Sequence, residues 1–283
     1  MELWDAYNSK IEKLNTTLVR GENIPEGMFH LVSEVILRHE DGGFLAMQRD
    51  FSKPNSPGKF EVTAGGSVLI DESPEEAANR ELLEETGIVV NNLELLNTWV
   101  DEAAQSIYFL YFAVSGCDKG SVTLQEGETV SYEWISGGEI ADFIRRDTYC
   151  TIHGKRIFPY IAHITGMTEK HPECVIGSMV NVTIDRPLGS VHPKHSDIVY
   201  PINYGYVGGI IAADGEEQDA YVLGANEPLD RFIGEIIAVI IRKNDSENKW
   251  VVAPEGVRFT KEKIRNATAF QEQYFDIEIR SEL

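Results

Sequence analysis

Three glutamates set the first chemistry this chain is equipped for. Glu81, Glu84 and Glu85 fall within a span of five residues. On a helix their i, i+3 and i+4 spacing puts all three carboxylates on one face. Each like-charge pair there costs about 0.2–0.5 kcal/mol in isolation, and a structural helix gains nothing in return. A hard divalent cation does, because Mg²⁺ and Mn²⁺ are held through carboxylate oxygens. A second acidic group lies far along the chain. Asp214, Glu216 and Asp219 flank the turn glycine Gly215, again an arrangement suited to a hard metal. Near it, Tyr200 and Tyr204 can donate hydroxyls to phosphate oxygens, and Arg186, Lys194 and Lys249 can balance phosphate charge.

The first group requires a helix, and the flanking residues specify one. Ser73 is an N-cap, Pro74 suits the first helical position and Glu76 completes a capping box. The helix then runs to Thr86, and Gly87 supplies the stop. Arg80 sits one turn before Glu84 and is expected to orient its carboxylate. Ala78 and Leu82 face a sheet. Strands are expected at 31–37, 43–48, 60–63, 107–114 and 132–135, and helices at 139–146 and 157–164. The pattern breaks at 165–174. Beyond it, short strands at 179–184, 220–223, 235–241 and 250–252 precede one helix at 261–274.

Residues 66–88 match a known signature, G-x5-E-x7-R-E-U-x-E-E-x-G-U with U aliphatic, at every defined position. The chain therefore resembles the Nudix family. That resemblance implies a metal-dependent phosphohydrolase in which water attacks one phosphorus of a diphosphate. It implies that Glu81, Glu84 and Glu85 bind metal, with Glu84 and Glu85 also serving catalysis and Gly66 adding its carbonyl. Glu72, Arg80 and Gly87 take structural positions. A further catalytic carboxylate is expected from a later loop. Of Glu126 and Glu128, the second is preferred because it stands six residues before Trp134. Residues 2–5 and 28–32 are similar to a Nudix branch that includes isopentenyl diphosphate isomerases. Those need a cysteine on the strand before the box, and residues 59–65 hold none, which argues against isomerase chemistry. His30 reads as a packed or capping histidine, and 49–59 and 147–156 as substrate-selecting segments.

The later stretch Tyr200-Pro-Ile-Asn-Tyr-Gly-Tyr, followed by the loop at 214–219, resembles the soluble family I inorganic pyrophosphatases, which are OB-like barrels. The resemblance implies metal binding at Asp214, Glu216 and Asp219. It also implies phosphate contacts from Tyr200, Tyr204, Tyr274 and Lys249. Four departures stand out. Glu216 replaces an aspartate, and Arg242 opens the segment where the family has an acidic cluster. The segment between Lys194 and Tyr200 is shorter and lacks an arginine. Phe275 stands where a lysine follows the final tyrosine. His192 and His195 read as surface residues.

Composition bounds the rest. The 283 residues suit two domains, and 46 acidic against 25 basic residues give a formal charge of −21. That charge opposes long nucleic acids but not a small phosphate ligand beside a metal. The three cysteines, Cys117, Cys150 and Cys174, have no metal or disulfide spacing. No signal peptide or membrane span is legible, so a cytoplasmic address is expected. The expected fold class is α+β in two domains. Residues 1–168 form a Nudix α/β/α sandwich, and 175–283 form a small pyrophosphatase-like, OB-like β-barrel with one helix. The expected function is Mg²⁺- or Mn²⁺-dependent hydrolysis of a nucleoside di- or triphosphate-type linkage, with a barrel that binds or hydrolyses pyrophosphate. The competing expectation is an ADP-ribose or nucleotide-sugar hydrolase whose barrel senses phosphate or holds a homodimer.

Overall fold

The computed structural model describes residues 2–192 and 199–282, so Lys194 and His195 lie outside the described residues. The chain divides into two compact units, Met1–Thr151 and Ile152–Leu283.

The first unit opens with a hairpin of β1 (Leu3–Tyr7) and β2 (Lys13–Val19). The chain continues through β3 (His30–His39), β4 (Phe44–Arg49), β5 (Phe60–Glu61) and β6 (Thr63–Ser67) to helix α1 (Pro74–Thr86). After it come β7 (Glu94–Asp101), β8 (Ser106–Ser115), β9 (Thr129–Ile135) and the short helix α2 (Ile140–Ile144). Strand β3 organises the sheet. It runs parallel to β8, from His30↔Ser106 to His39↔Ser115, and antiparallel to β6. Its buried Val35 and Leu37 share a core cluster with Leu45, Met47, Ala64 and, from α1, Ala78 and Leu82. That burial fixes which face of α1 meets the sheet and leaves the glutamate face free.

The strand expected at 60–63 is two strands. β5 pairs with β4, whereas β6 pairs with β3. The partner changes at Val62, whose N–H is taken by the Tyr149 hydroxyl at 3.2 Å instead of by a ladder. β6 then carries Gly65 hard against β3, where a Cβ would fall 2.2 Å from the Ser33 carbonyl oxygen. The β1–β2 hairpin and β7 have no counterpart among the expected strands.

In the second unit, helix α3 (Thr151–Ile164) starts six residues earlier than its expected bound. The division of the chain between Thr151 and Ile152 falls at the first residue of α3. Two contacts tie α3 to the second unit: Lys155 Nζ lies 2.7 Å from Glu255, and the Ile211 N–H donates to His163 Nε2 at 3.4 Å. A short helix α4 (Met167–Lys170) leads to β10 (Met179–Arg186), β11 (Asn203–Ile211), β12 (Glu217–Val222), β13 (Arg231–Arg242) and β14 (Lys249–Ala253). β10 pairs with both β11 and β13, β11 with β12, β12 with β14, and β14 with β13. These five strands therefore close into a barrel, which removes their free edges. Helix α5 (Lys261–Glu272) packs Ile264 into the barrel core, and β15 (Ile277–Ser281) adds to β13. No helix among the described residues is long and apolar enough to cross a membrane.

His30 is a packed residue. Its ring stacks on Trp4 with centroids 4.2 Å apart, and Nε2 lies 2.8 Å from the Ser106 hydroxyl. Burial lowers its pKa from 6.5 to about 4. Between those values the unfolded chain binds a proton that the folded unit refuses, so stability falls as pH drops through that window. His30→Gln should reduce the stability lost between pH 7 and pH 4 by roughly 2 kcal/mol after allowing for solvent screening. Denaturant titrations of both proteins at the two pH values measure this; equal losses would contradict it.

Candidate active site

Helix α1 presents the site, and its start is fixed by two reciprocal bonds. The Ser73 hydroxyl accepts from the Glu76 N–H at 3.2 Å, and the Glu76 carboxylate accepts from the Ser73 N–H at 2.8 Å. Its end is fixed by Gly87, which adopts the left-handed conformation at φ 72° and returns its N–H to Leu83. Between these caps, Glu81, Glu84 and Glu85 all line one cleft of about 730 Å³. Glu84 is exposed, while Glu81 and Glu85 are half-buried.

Arg80 is the built-in countercharge. Its guanidinium grips Glu72 through two parallel bonds, Nε to Oε1 at 2.8 Å and Nη2 to Oε2 at 2.9 Å. It also donates to the Ser67 carbonyl at 3.0 Å and to Glu81 at 2.7 Å. The contact with Glu84 that the sequence suggested exists at 3.3 Å, yet the bidentate partner is Glu72. Glu72 in turn accepts from the Leu69 N–H at 2.9 Å, which secures the loop between β6 and α1. Glu72 thus aims Arg80 at Glu81 and Glu84.

One arginine does not neutralise the group. Burial raises the pKa of Glu81 despite Arg80. Burial raises Glu85 well above its ordinary value, and the charges of Glu81, Glu61 and Glu128 add to this. These carboxylates need a further positive charge to be ionised together. Space at Gly66 fits the same need. A Cβ there would lie 2.4 Å from Glu81 Oε1, so only glycine lets that carboxylate lie along the strand. The donor set is hard oxygen throughout, and a Mg²⁺ or Mn²⁺ ion fits it: Glu81, Glu84, Glu85 and the Gly66 carbonyl would hold it. Among the described residues, no three His, Cys, Asp or Glu side chains stand close enough to grip a metal as they are now placed.

The cleft brings in residues from other elements. Glu128, on the loop before β9, lines it and is ion-paired with Lys53. Arg49 lines it while paired with Glu61 at 3.0 Å, and Arg20 lines it while paired with Glu2 at 2.6 Å. Arg49 and Lys53 fall in the segment expected to select substrate. Arg20, Glu2 and Glu61 were not anticipated. Arg20 and Glu2 reach the cleft only because β1 and β2 pair, which no local motif announces.

The residues of the second acidic group are dispersed. Asp214 and Glu216 are exposed on the β11–β12 turn, where Asp214 Oδ1 accepts the Glu216 N–H at 3.0 Å. Asp219 lies on β12, where it contacts the Tyr204 hydroxyl and the buried Lys249 ammonium. Tyr200 and Tyr204 are both buried in the barrel core. Arg186 pairs with Asp185 at 2.8 Å and lies close enough to Tyr200 to influence its hydroxyl. Tyr274 is 63% exposed and stands away from that core.

The comparisons with known proteins fall on the first unit. A family model for the NUDIX domain matches residues 28–152. The chain is 30% identical over 138 residues to an uncharacterised Nudix hydrolase of Listeria innocua, covering 48% of this chain and 80% of that protein. It is 34% identical over 94 residues to an NAD-capped RNA hydrolase of Haemophilus influenzae, covering 32% of this chain and 33% of the relative. A solved structure from Deinococcus radiodurans aligns with a TM-score of 0.45 at 21% identity, covering 53% of this chain and 92% of the other.

Gly66→Ala tests the metal-side geometry. The added methyl collides with the Glu81 carboxylate, so Mn²⁺ affinity should fall on the order of 10–100-fold with the fold intact. Titration calorimetry with Mn²⁺ measures this; unchanged affinity would place the metal elsewhere.

Proposed function

The chain belongs to the Nudix hydrolase family, and from that premise we propose that its first unit cleaves a diphosphate joined to a nucleoside, with Mg²⁺ or Mn²⁺ held by Glu81, Glu84, Glu85 and the Gly66 carbonyl. One observation carries this reading: the acidic face of α1 shares a single cleft with Arg20, Arg49 and Lys53. A diphosphate needs both kinds of partner, since its oxygens bind metal on one side and basic side chains on another. The cleft volume of about 730 Å³ lies within the range usual for small-molecule sites.

The bound metal would draw charge from the phosphoryl oxygens and acidify water. The protein's own groups do the remainder. Arg49 and Lys53 bind the phosphate chain, and their pairing with Glu61 and Glu128 keeps both side chains directed into the cleft. We assign Glu85 or Glu128 as the carboxylate that accepts the proton of the attacking water. Arg80, held by Glu72, keeps Glu81 in position. The similarity to an NAD-capped RNA hydrolase supports a diphosphate attached to a nucleoside. The charge of −21 disfavours a long nucleic acid as the bound partner.

The test is ³¹P NMR of products with Mg²⁺, offering nucleoside triphosphates and ADP-ribose. Turnover of at least one is expected, and Glu85→Gln should lower kcat by about 10²–10⁴-fold. Arg49→Ala and Lys53→Ala should raise KM more than they lower kcat, as expected for groups that bind ground and transition states alike. Failure to cleave any nucleoside-linked diphosphate with Mg²⁺ or Mn²⁺ would overturn the assignment.

A further inference from the structure

The acidic cluster inside the barrel already has cations of its own. Lys249, 2% exposed, ion-pairs with both Asp219 and Glu247. Arg242, also buried, lies 2.6 Å from Glu272, 3.1 Å from Asp245 and 3.8 Å from Glu247. Glu272 is capped further by the Tyr221 hydroxyl at 2.5 Å, and Asp219 by the Tyr204 hydroxyl. The network thus runs without interruption from Asp219 on β12 to Glu272 on α5.

Two of the sequence departures from the pyrophosphatase pattern meet in this network. The Arg242 guanidinium sits 3.7 Å from the centroid of the Phe275 ring. Arg242 opens the segment where the pattern has an acidic cluster, of which Asp245 and Glu247 remain acidic here, and Phe275 stands where it has lysine. A cation in that segment and an aromatic ring in place of the lysine form a cation–π pair inside the barrel's own charge network. Asp214 and Glu216, the other two carboxylates of the expected metal set, are exposed on their turn. We propose that Arg242 and Lys249 stand permanently in the role of divalent cations, so that the barrel holds its acidic cluster without metal and does not hydrolyse pyrophosphate.

The physical argument is one of displacement. A divalent ion binding Asp219 would have to share that carboxylate with the buried Lys249 ammonium, and the two cations would repel at close range. Moving that ammonium aside would leave it buried with Glu247 as its remaining acidic partner among the described residues. The first unit differs at this point. There Arg80 pairs with Glu81 and Glu84, and Glu84 is exposed in the cleft.

The test uses the full chain carrying Glu81→Gln and Glu85→Gln, which removes two of the three carboxylates proposed to hold the first unit's metal. Equilibrium dialysis against Mn²⁺ compares this double variant with a triple variant that adds Asp219→Asn. Equal Mn²⁺ uptake is expected; lower uptake in the triple variant would overturn the proposal. A second arm needs no change in the barrel. The double variant, offered free pyrophosphate and Mg²⁺, should release no phosphate above the buffer rate. Phosphate release that survives loss of the first site would overturn it. Because both arms are run without the first site, failure here is separable from failure of the Nudix assignment.

Discussion

Like charges repel, and the first unit must hold Glu81, Glu84 and Glu85 within about one turn of helix while two of them are partly withdrawn from water. The rest of that unit can be understood as the means of doing so. The capping box and Gly87 fix where α1 begins and ends, so the three carboxylates share a face. The packing of Ala78 and Leu82 on β3 and β6 fixes which face that is. Gly65 lets β6 press against β3, and Gly66 leaves room for the Glu81 carboxylate. Arg80 relieves part of the repulsion and is itself immobilised by Glu72. The negative charge left uncompensated is what the proposed hard cation would balance.

The barrel solves the same electrostatic problem in the opposite way. Its acidic side chains are closed around Lys249 and Arg242, with tyrosine hydroxyls completing the bonds. Burial pushes Glu247 up to about 7, its bond to Asp219 adding to this, while at Asp219 burial is opposed by Lys249 together with hydrogen bonds from Glu247 and Tyr204, which keep that group below its ordinary range. Such a shared, largely internal charge network is costly to open, whereas in the first unit Glu84 is exposed in an open cleft.

Much of the first unit was legible because its signals are local. A capping box, a glycine stop and the spacing of three glutamates all lie within residues 66–88, and α1 follows them closely. Apolar runs marked β3, β4 and β8. What escaped depends on pairing between distant segments. β1, with the sequence LWDAY, carries too short a pattern to announce a strand, yet pairing with β2 brings Glu2 and Arg20 into the cleft. Glu61 looks like an ordinary strand residue until Arg49 is placed beside it by the β4–β5 ladder. In the barrel, the tyrosines and the 214–219 loop were visible as a motif. The pairing of Arg242 with Phe275 and the burial of Lys249 were not, because both arise only when β13, β14 and the end of α5 come together.

The most direct test of the central claim, that one acidic cluster is built for a metal and the other is closed against it, is anomalous diffraction from crystals soaked in Mn²⁺. The account predicts anomalous density beside Glu81, Glu84, Glu85 and the Gly66 carbonyl, with Lys249 still seated on Asp219 and no density there. Density at Asp219 with Lys249 displaced, or none beside α1, would contradict it.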